Sequence, residues 1–514
     1  MKKIQFRNIK LAIAALAVVG VTSSCEVTDL SPANLIPDEE SFGTAARIES
    51  VVLGVYESAQ QGFYLGNAGE AGRGYPFGAA NVQQGDMRGE DMYNDQLFYE
   101  ITYIAAHTPF SANNNGMWIS IYRMINRANI VLSNLDEALA NGVITEEVRN
   151  TLRGEMLFMR ALGHHELLTH FSRPYMGDPS AMGVPYRNIA INDVPLVAAN
   201  ETLGRTTVGE DYALLLADLN EAEELLPATR NHARVRRGAA IALKSRIMLH
   251  MGNWQGVIDE HAKLAGTYSL MDSPVTPFRT VNSAENIFSF VHTAESNAGV
   301  NGALPSMYGN PARGGRGLVK VSPLIWRSDF WHPEDLRRTE LTDRDGGGIY
   351  TLKYTDVVTR TDPNPILRYA ESVLNAAEAN ARLGNTAVAI QLLNSVRDRA
   401  LPASVPSFTS ANFASTDELL TAIFNERRIE FLAEGRRWAD IHRLSGEGIM
   451  SGIPVKATTR SITSINFYTE VGNPEWNVPT DHALPYTNTL FVWPIPIDEL
   501  VNNSQTPIPQ NPGY

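Results

Sequence analysis

Between Ile366 and Ala400 the chain reads ILRYAESVLNAAEANARLGNTAVAIQLLNSVRDRA, two amphipathic stretches divided by a glycine. Apolar residues at Ile366, Ala370, Val373/Leu374, Ala377 and Ala381 keep the three-to-four spacing of one helical face. Gly384-Asn385 breaks that helix, and Ala389, Leu392/Leu393 and Val396 line the face of a second. The small alanines allow the two helices to approach closely. The same pattern returns from Ala239 to Leu264, with Gly252-Asn253 at the break, and from Glu418 to Leu444, turning at Gly435. Val148 to Phe171 carries a weaker copy. These units resemble tetratricopeptide repeats, but they do not run in tandem at a fixed period. Long insertions over 60–117, 172–207 and 267–350 separate them. The expectation is a mostly α-helical fold in which paired helices form the scaffold and the insertions carry specificity.

Packing alone must stabilise this scaffold, because the chain has a single cysteine, Cys25, and hence no intramolecular disulfide. The position of that cysteine is informative. MKKIQFRNIK is a basic stretch, Leu11 to Val21 is an apolar run, and Thr22, Ser23 and Ser24 are small residues directly before Cys25. This is the layout of a secretory signal, and the apolar run is too short to span a bilayer. The small residues followed by cysteine resemble a bacterial lipobox, although Thr22 stands where that pattern prefers leucine. We therefore expect residues 1–24 to be a lipoprotein signal peptide, Cys25 to be lipidated, and 25–40 to be a polar tether into one domain over 41–514. Multiple acyl chains hold a soluble body firmly without a transmembrane helix, since each buried CH₂ contributes about 0.8 kcal/mol.

Hydrophobic residues make up 44% and charged residues 19%, a balance that supports a full core. The net charge is −13, and without Lys2, Lys3, Arg7 and Lys10 the chain holds 39 basic against 56 acidic residues. Such a surface repels phosphate and argues against nucleic acid as a partner.

The chemical motifs are near misses. In HHELLTH, His165 and His170 are five residues apart, roughly 140° around a helix, so they cannot share a metal as the i, i+4 histidines of a zinc protease do. Glu426, Glu430 and Glu434 share a face at i, i+4 spacing, but Arg427, Arg428, Arg436, Arg437 and Arg443 surround them, and an ion-pair network between helices is the better reading. DRDGGG (Asp343–Gly348) lacks the spaced ligands of a calcium loop and reads as a turn. RGGRG (Arg313–Gly317) lacks the lysine of a phosphate loop. No metal site, cofactor or catalytic set is assigned.

The insertions are rich in aromatic and amide residues. A flat ring with fixed polar groups around it suits a sugar, whose ring has apolar C–H faces and polar edges. On residue type and location we select Asp86, Arg88, Tyr93 and Tyr103 from the first insertion, and Tyr308, Trp326 and Trp331 from the third, as candidate ligand contacts. Tyr308, in PSMYGNP, is flanked by turn residues and is expected to be exposed. Trp118 lies on a helical stripe with Tyr122 and Ile125 and is assigned to the core.

Cys25, FGTAARIESVVLGVYES, MWISIYRMINRANIVLSNL, ILRYAESVLNAAEA with NSVRDRA, NERRIEFLAEGRRWADIHR and the ending WPIPIDELVNN…QNPGY together resemble the SusD/RagB family. The resemblance implies a right-handed helical scaffold of about four tetratricopeptide-like pairs, here near 118–171, 208–264, 366–400 and 417–444. It implies an outer-membrane lipoprotein that binds a glycan and delivers it to a SusC-like TonB-dependent transporter, without catalysis. In the RagB branch the ligand is a peptide. A secreted glycoside hydrolase, with Asp86, Glu90 and Asp91 as its carboxylates, and a scaffold that binds no small ligand are the competing readings.

Overall fold

The computed structural model describes residues 38–61, 73–469, 477–503 and 506–514. Cys25, the signal segment and most of the tether lie outside the described residues. The first half contains α1 (Ala45–Gln61), α2 (Ala79–Met87), α3 (Ala112–Ala140), α4 (Glu146–Phe171), α5 (Val194–Asn200), α6 (Val208–Leu225), α7 (Arg237–Met251) and α8 (Trp254–Leu264). The second contains α9 (Tyr369–Arg382), α10 (Thr386–Arg397), α11 (Thr416–Glu430), α12 (Arg437–Gly446) and α13 (Ile497–Asn502).

Local chemistry sets the helix ends. The Thr145 hydroxyl accepts the Val148 amide and Glu146 and Glu147 occupy the first turn of α4, which satisfies an orphan donor and complements the helix dipole. Thr207 and Glu210 form a reciprocal capping box at α6. Gly252 ends α7 at φ +72° and Gly384 follows α9 at φ +80°, left-handed conformations that a side chain would strain.

The helices pack in chain order. α1 meets α3, α3 meets α4, α4 meets α6, α6 meets α7, α7 meets α8, and α8 meets α9, which packs on α10 and α11. Three of the expected pairs are helix hairpins: α3/α4, α7/α8 and α9/α10. Two details differ from the sequence reading. Val148–Phe171 is part of one continuous helix, not a pair. Its internal glycines serve packing: a Cβ at Gly154 would lie 2.7 Å from Leu226 Cγ, and one at Gly163 would lie 2.9 Å from Met124 Cε. In addition, Ile366 lies in a strand, and the helix begins at Tyr369, because Asn364–Arg368 pairs with Asn286–Phe290.

The insertions contribute structure and core. The ten short strands form five two-stranded antiparallel sheets among the described residues: β1 (Met92–Asn94) with β3 (Val319–Val321), β2 (Asn286–Phe290) with β6 (Asn364–Arg368), β4 (Thr342–Asp345) with β5 (Gly348–Thr351), β7 (Gly452–Ile453) with β10 (Leu484–Pro485), and β8 (Lys456–Ala457) with β9 (Thr480–Asp481). DRDGGG is the hairpin turn of β4–β5, in which Asp345 Oδ1 accepts the Gly347 and Gly348 amides at 2.7 and 3.1 Å. One hydrophobic cluster joins Val52, Tyr56, Phe77, Phe158, Phe288 and Phe290 with Trp326, Trp331 and Trp493, so scaffold and insertions share a core.

Candidate functional site

All seven candidate ligand contacts are inside the protein: none is more than 3% exposed. The exposure expected for Tyr308 is overturned. It ends the short helix Leu304–Tyr308, every residue of which is buried. Pro305 and Gly309 signal a chain reversal, and a reversal can be packed against the core as readily as it can face water.

The structure groups these residues in pairs. The Tyr308 hydroxyl donates to Asp86 Oδ2, whose other oxygen accepts the Gly435 amide at 2.9 Å, and the Tyr308 ring stacks on Tyr354 at 6.0 Å. Burial raises the Asp86 carboxyl to about 7, while the two hydrogen bonds and Lys353 pull it partly back. Tyr93 and Tyr103 meet edge to face at 6.5 Å; Tyr103 donates to the Ala457 carbonyl at 2.7 Å, and Tyr93 Oη accepts the Ile462 amide at 3.0 Å. Trp326 and Trp331 meet at 5.4 Å, with the Arg338 guanidinium 3.9 Å over Trp326. Arg88 stands apart from the other six. Its guanidinium lies 3.2 Å from the Trp438 ring centre, donates to the Phe491 carbonyl at 2.5 Å and touches His170 at 3.1 Å. These are structural contacts, each spent on another part of the chain.

The carboxylates of the hydrolase reading are likewise engaged. Glu90 binds Arg437 and Arg428, and Asp91 binds Arg428 at 2.5 Å. Burial pushes Glu90 upward, but Arg437 and Arg428 more than offset it and bring it down to about 2. Glu426, Glu430 and Glu434 do belong to an ion-pair network, with partners different from the expected ones. Arg337 holds Glu426 and Glu430; Arg368 holds Glu430, Glu434 and Glu285; Arg399 holds Glu285 and Glu430; and Lys353 holds Glu434. The nearby Arg427, on α11, and Arg443, on α12, instead bind Asp440. α11 stops at Glu430, so Glu434 reaches Arg368 from the turn that follows.

Among the described residues, two cavities are large enough to hold a small ligand. The larger, about 730 Å³, lies between α3, the 187–191 segment, α5 and α13, and is walled by Trp118, Tyr122, Ile130, Ile189, Ile191 and Val197. Asn126 and Asn129 are already used, while Asn200 Oδ1 has no partner among the described residues. Asn126 exchanges two hydrogen bonds with the Ile191 backbone, Asn129 donates to Arg187 O and accepts from Arg160, and Arg187 is paired with Glu499. Trp118, assigned to the core from sequence, is buried at its edge and donates to Glu499 at 3.0 Å.

The second, about 530 Å³, lies between the 401–415 loop, α11 and the 329–337 segment. Phe330, Phe408 and Phe413 are half-buried in its walls, with His332, Asn425 and Asp329 among them. Sequence reading missed this cleft. The signal was present in VPSFTSANFAS, two phenylalanines among serine, threonine, asparagine and proline. It lay in a short connection between helices and not in one of the long insertions.

A family model described as "SusD family" matches residues 339–514, and one described as "Starch-binding associating with outer membrane" matches residues 41–249. The chain is similar to SusD-like protein P2 of Formosa agariphila, 24% identical over 99% of each chain, and to SusD-like protein P38 of the same organism, 23% identical over 93% of this chain and 100% of that one. Its fold superposes on a SusD superfamily protein from Bacteroides fragilis with a TM-score of 0.74 and 27% identity, covering 90% of this chain and 98% of the other. It also superposes on surface glycan-binding protein A from Bacteroides thetaiotaomicron, solved with laminarihexaose, with a TM-score of 0.66 and 18% identity over 91% and 99% of the two chains. Among the described residues no helix is long and apolar enough to cross a membrane.

Proposed function

Because the chain belongs to the SusD/RagB family, we propose that it is a lipid-anchored protein of the outer membrane, which captures an oligosaccharide and hands it to a SusC-like TonB-dependent transporter. The observation that carries this reading is the match of residues 41–249 to the starch-binding, outer-membrane-associated model. The superposition over nine-tenths of the chain on a neighbour that holds a glucan hexasaccharide supports it. Cys25, directly after the small residues of a secretory signal, supplies the anchor.

Binding without turnover fits the carboxylates. Retaining and inverting glycosidases need two carboxyl groups facing a common space, one as acid and one as nucleophile or base. Asp86, Glu90 and Asp91 are buried and held by Tyr308, Arg437 and Arg428, which leaves none of them free to meet a glycosidic oxygen.

The test is a binding and product screen on residues 26–514 against neutral oligosaccharides, charged oligosaccharides and peptides. Saturable, metal-independent binding of an oligosaccharide with no new reducing ends is expected. Release of reducing ends would overturn the reading, and saturable binding of peptides alone would move the protein to a peptide-capturing role.

A further inference from the structure

We propose that the 530 Å³ cleft between the 401–415 loop, α11 and the 329–337 segment is a binding site for a neutral saccharide; this rests on the glycan reading above. Its volume lies within the range of about 300–1,000 Å³ found for small-ligand sites. Three aromatic rings form its walls. Phe408 and Phe413 meet edge to face at 5.3 Å and 62°, so their surfaces point in different directions. The Arg397 guanidinium lies 4.1 Å over the Phe408 ring, and that of Arg428 lies 5.0 Å over Phe330. The remaining ring area offers an apolar surface to the C–H face of a sugar.

Beside these rings the cleft holds several polar groups that the protein leaves free. The side chains of Asp329 and Asn425 make no hydrogen bond or ion pair among the described residues, and both line the cleft. His332 Nδ1 accepts the Glu334 amide at 3.1 Å, so a neutral ring carries its proton on Nε2 and remains a donor. Asn412 uses its oxygen on Thr409 and keeps its NH₂ group. A carboxylate, two amide groups and an imidazole donor therefore stand beside three phenylalanines. Hydroxyls around a pyranose ring both donate and accept, and they match this mixed set.

The floor is rigid. Arg337 is fixed between Asp335 at 2.7 Å, Glu426 at 2.5 Å and Glu430 at 3.0 Å, a fully paired cation beneath the rings. Preorganised walls reduce the ordering cost of binding. Asp329, Asp335, Glu418 and Glu426 line the cleft against only Arg337 and Arg397, and this excess of carboxylate disfavours an anionic saccharide.

The experiment titrates the purified full chain with neutral oligosaccharides that include laminarihexaose, and with charged oligosaccharides and peptides alongside. The same titrations are run on Asn425→Ala, Phe413→Ala and Thr421→Trp, with Val197→Ala in the other cavity as the control. The Asn425 side chain makes no internal bond and Thr421 is exposed, so both variants are expected to keep the native unfolding midpoint. For a saccharide that binds the native chain, the proposal expects a loss of affinity of about tenfold or more in Asn425→Ala and Phe413→Ala, abolition in Thr421→Trp, and no change in Val197→Ala. Unchanged affinity in the folded Asn425→Ala and Thr421→Trp chains would overturn this site and leave glycan binding standing elsewhere on the protein. A native chain that binds no neutral oligosaccharide would overturn this site, and one that also binds no charged oligosaccharide would overturn both readings. A peptide whose binding Thr421→Trp abolishes, with no saccharide bound, would assign the cleft to a different ligand and overturn the proposal.

Discussion

Arg88 illustrates how far a residue's type can mislead about its surroundings. An arginine in an amide-rich insertion suggests a ligand contact, yet this one is 2% exposed, with an indole against its face and a backbone carbonyl at its edge. A desolvated cation–π contact contributes about 2 kcal/mol or more, and a hydrogen bond from a charged donor about 1.5–3 kcal/mol. Replacement with alanine removes both and leaves the Phe491 carbonyl unpaired. We expect Arg88→Ala to lower stability by about 3 kcal/mol or more, measured by urea unfolding. Normal stability with lost ligand affinity would contradict the buried, structural role. The same reasoning applies to Asp86 and Tyr308, whose side chains satisfy each other. Sequence identifies groups that need partners; it does not say whether the partner is a ligand or the protein.

Among the elements, α4 shows where periodicity succeeds and where it fails. The apolar stripe marked helical structure correctly, but reading Val148 to Phe171 as a weaker copy of the paired pattern implied a break that does not exist. Glycine in a helix interior costs about 1 kcal/mol relative to alanine, and here the cost is offset by close packing. A Cβ at 163 would sit 2.9 Å from Met124 Cε, 3.0 Å from Ile125 Cγ1 and 3.1 Å from Ile121 Cγ2, all on α3. Gly163→Val is therefore expected to destabilise by about 1–3 kcal/mol through overpacking, read as a lowered denaturant midpoint. A gain in stability would mean that α3 and α4 can separate without cost. The breaks at Gly252 and Gly384 were legible because both pattern and dihedral agree there, with the left-handed residue falling where the apolar stripe ends.

At the scale of the whole molecule, buried ionisable groups tie the insertions to the helices and make stability depend on pH. Burial holds His164, His165 and His442 at about 3, and drives His107, His170 and His250 below their ordinary value. Below about pH 6.5 the unfolded chain binds protons on these rings that the folded chain excludes, so stability falls on acidification. Asp86 and Asp211, raised to about 7 by burial, work the other way between about pH 4 and 7. Burial also raises Asp91, Glu155 and Glu426, while His292 joins the lowered rings at about 4, so seven histidines stand against five carboxylates. We expect stability to fall between about pH 6.5 and 4.5. Urea unfolding at pH 7 and pH 5 measures it; equal midpoints would mean the rings are not held neutral. What the sequence determined by itself is what local chemistry can encode: helices from apolar spacing, their breaks from glycine, the need for packing in place of disulfides, and the composite of segments shared with the SusD/RagB family. Tertiary structure alone decided which side of each aromatic ring faces water. It also decided that Glu430 pairs with Arg337, Arg368 and Arg399 and not with its own neighbours, and that Phe330, Phe408 and Phe413 meet across one cleft. Burial and pairing between residues far apart in the chain depend on how whole elements dock. The same tyrosine or arginine has the same identity in the sequence whether it ends in the core or at the surface.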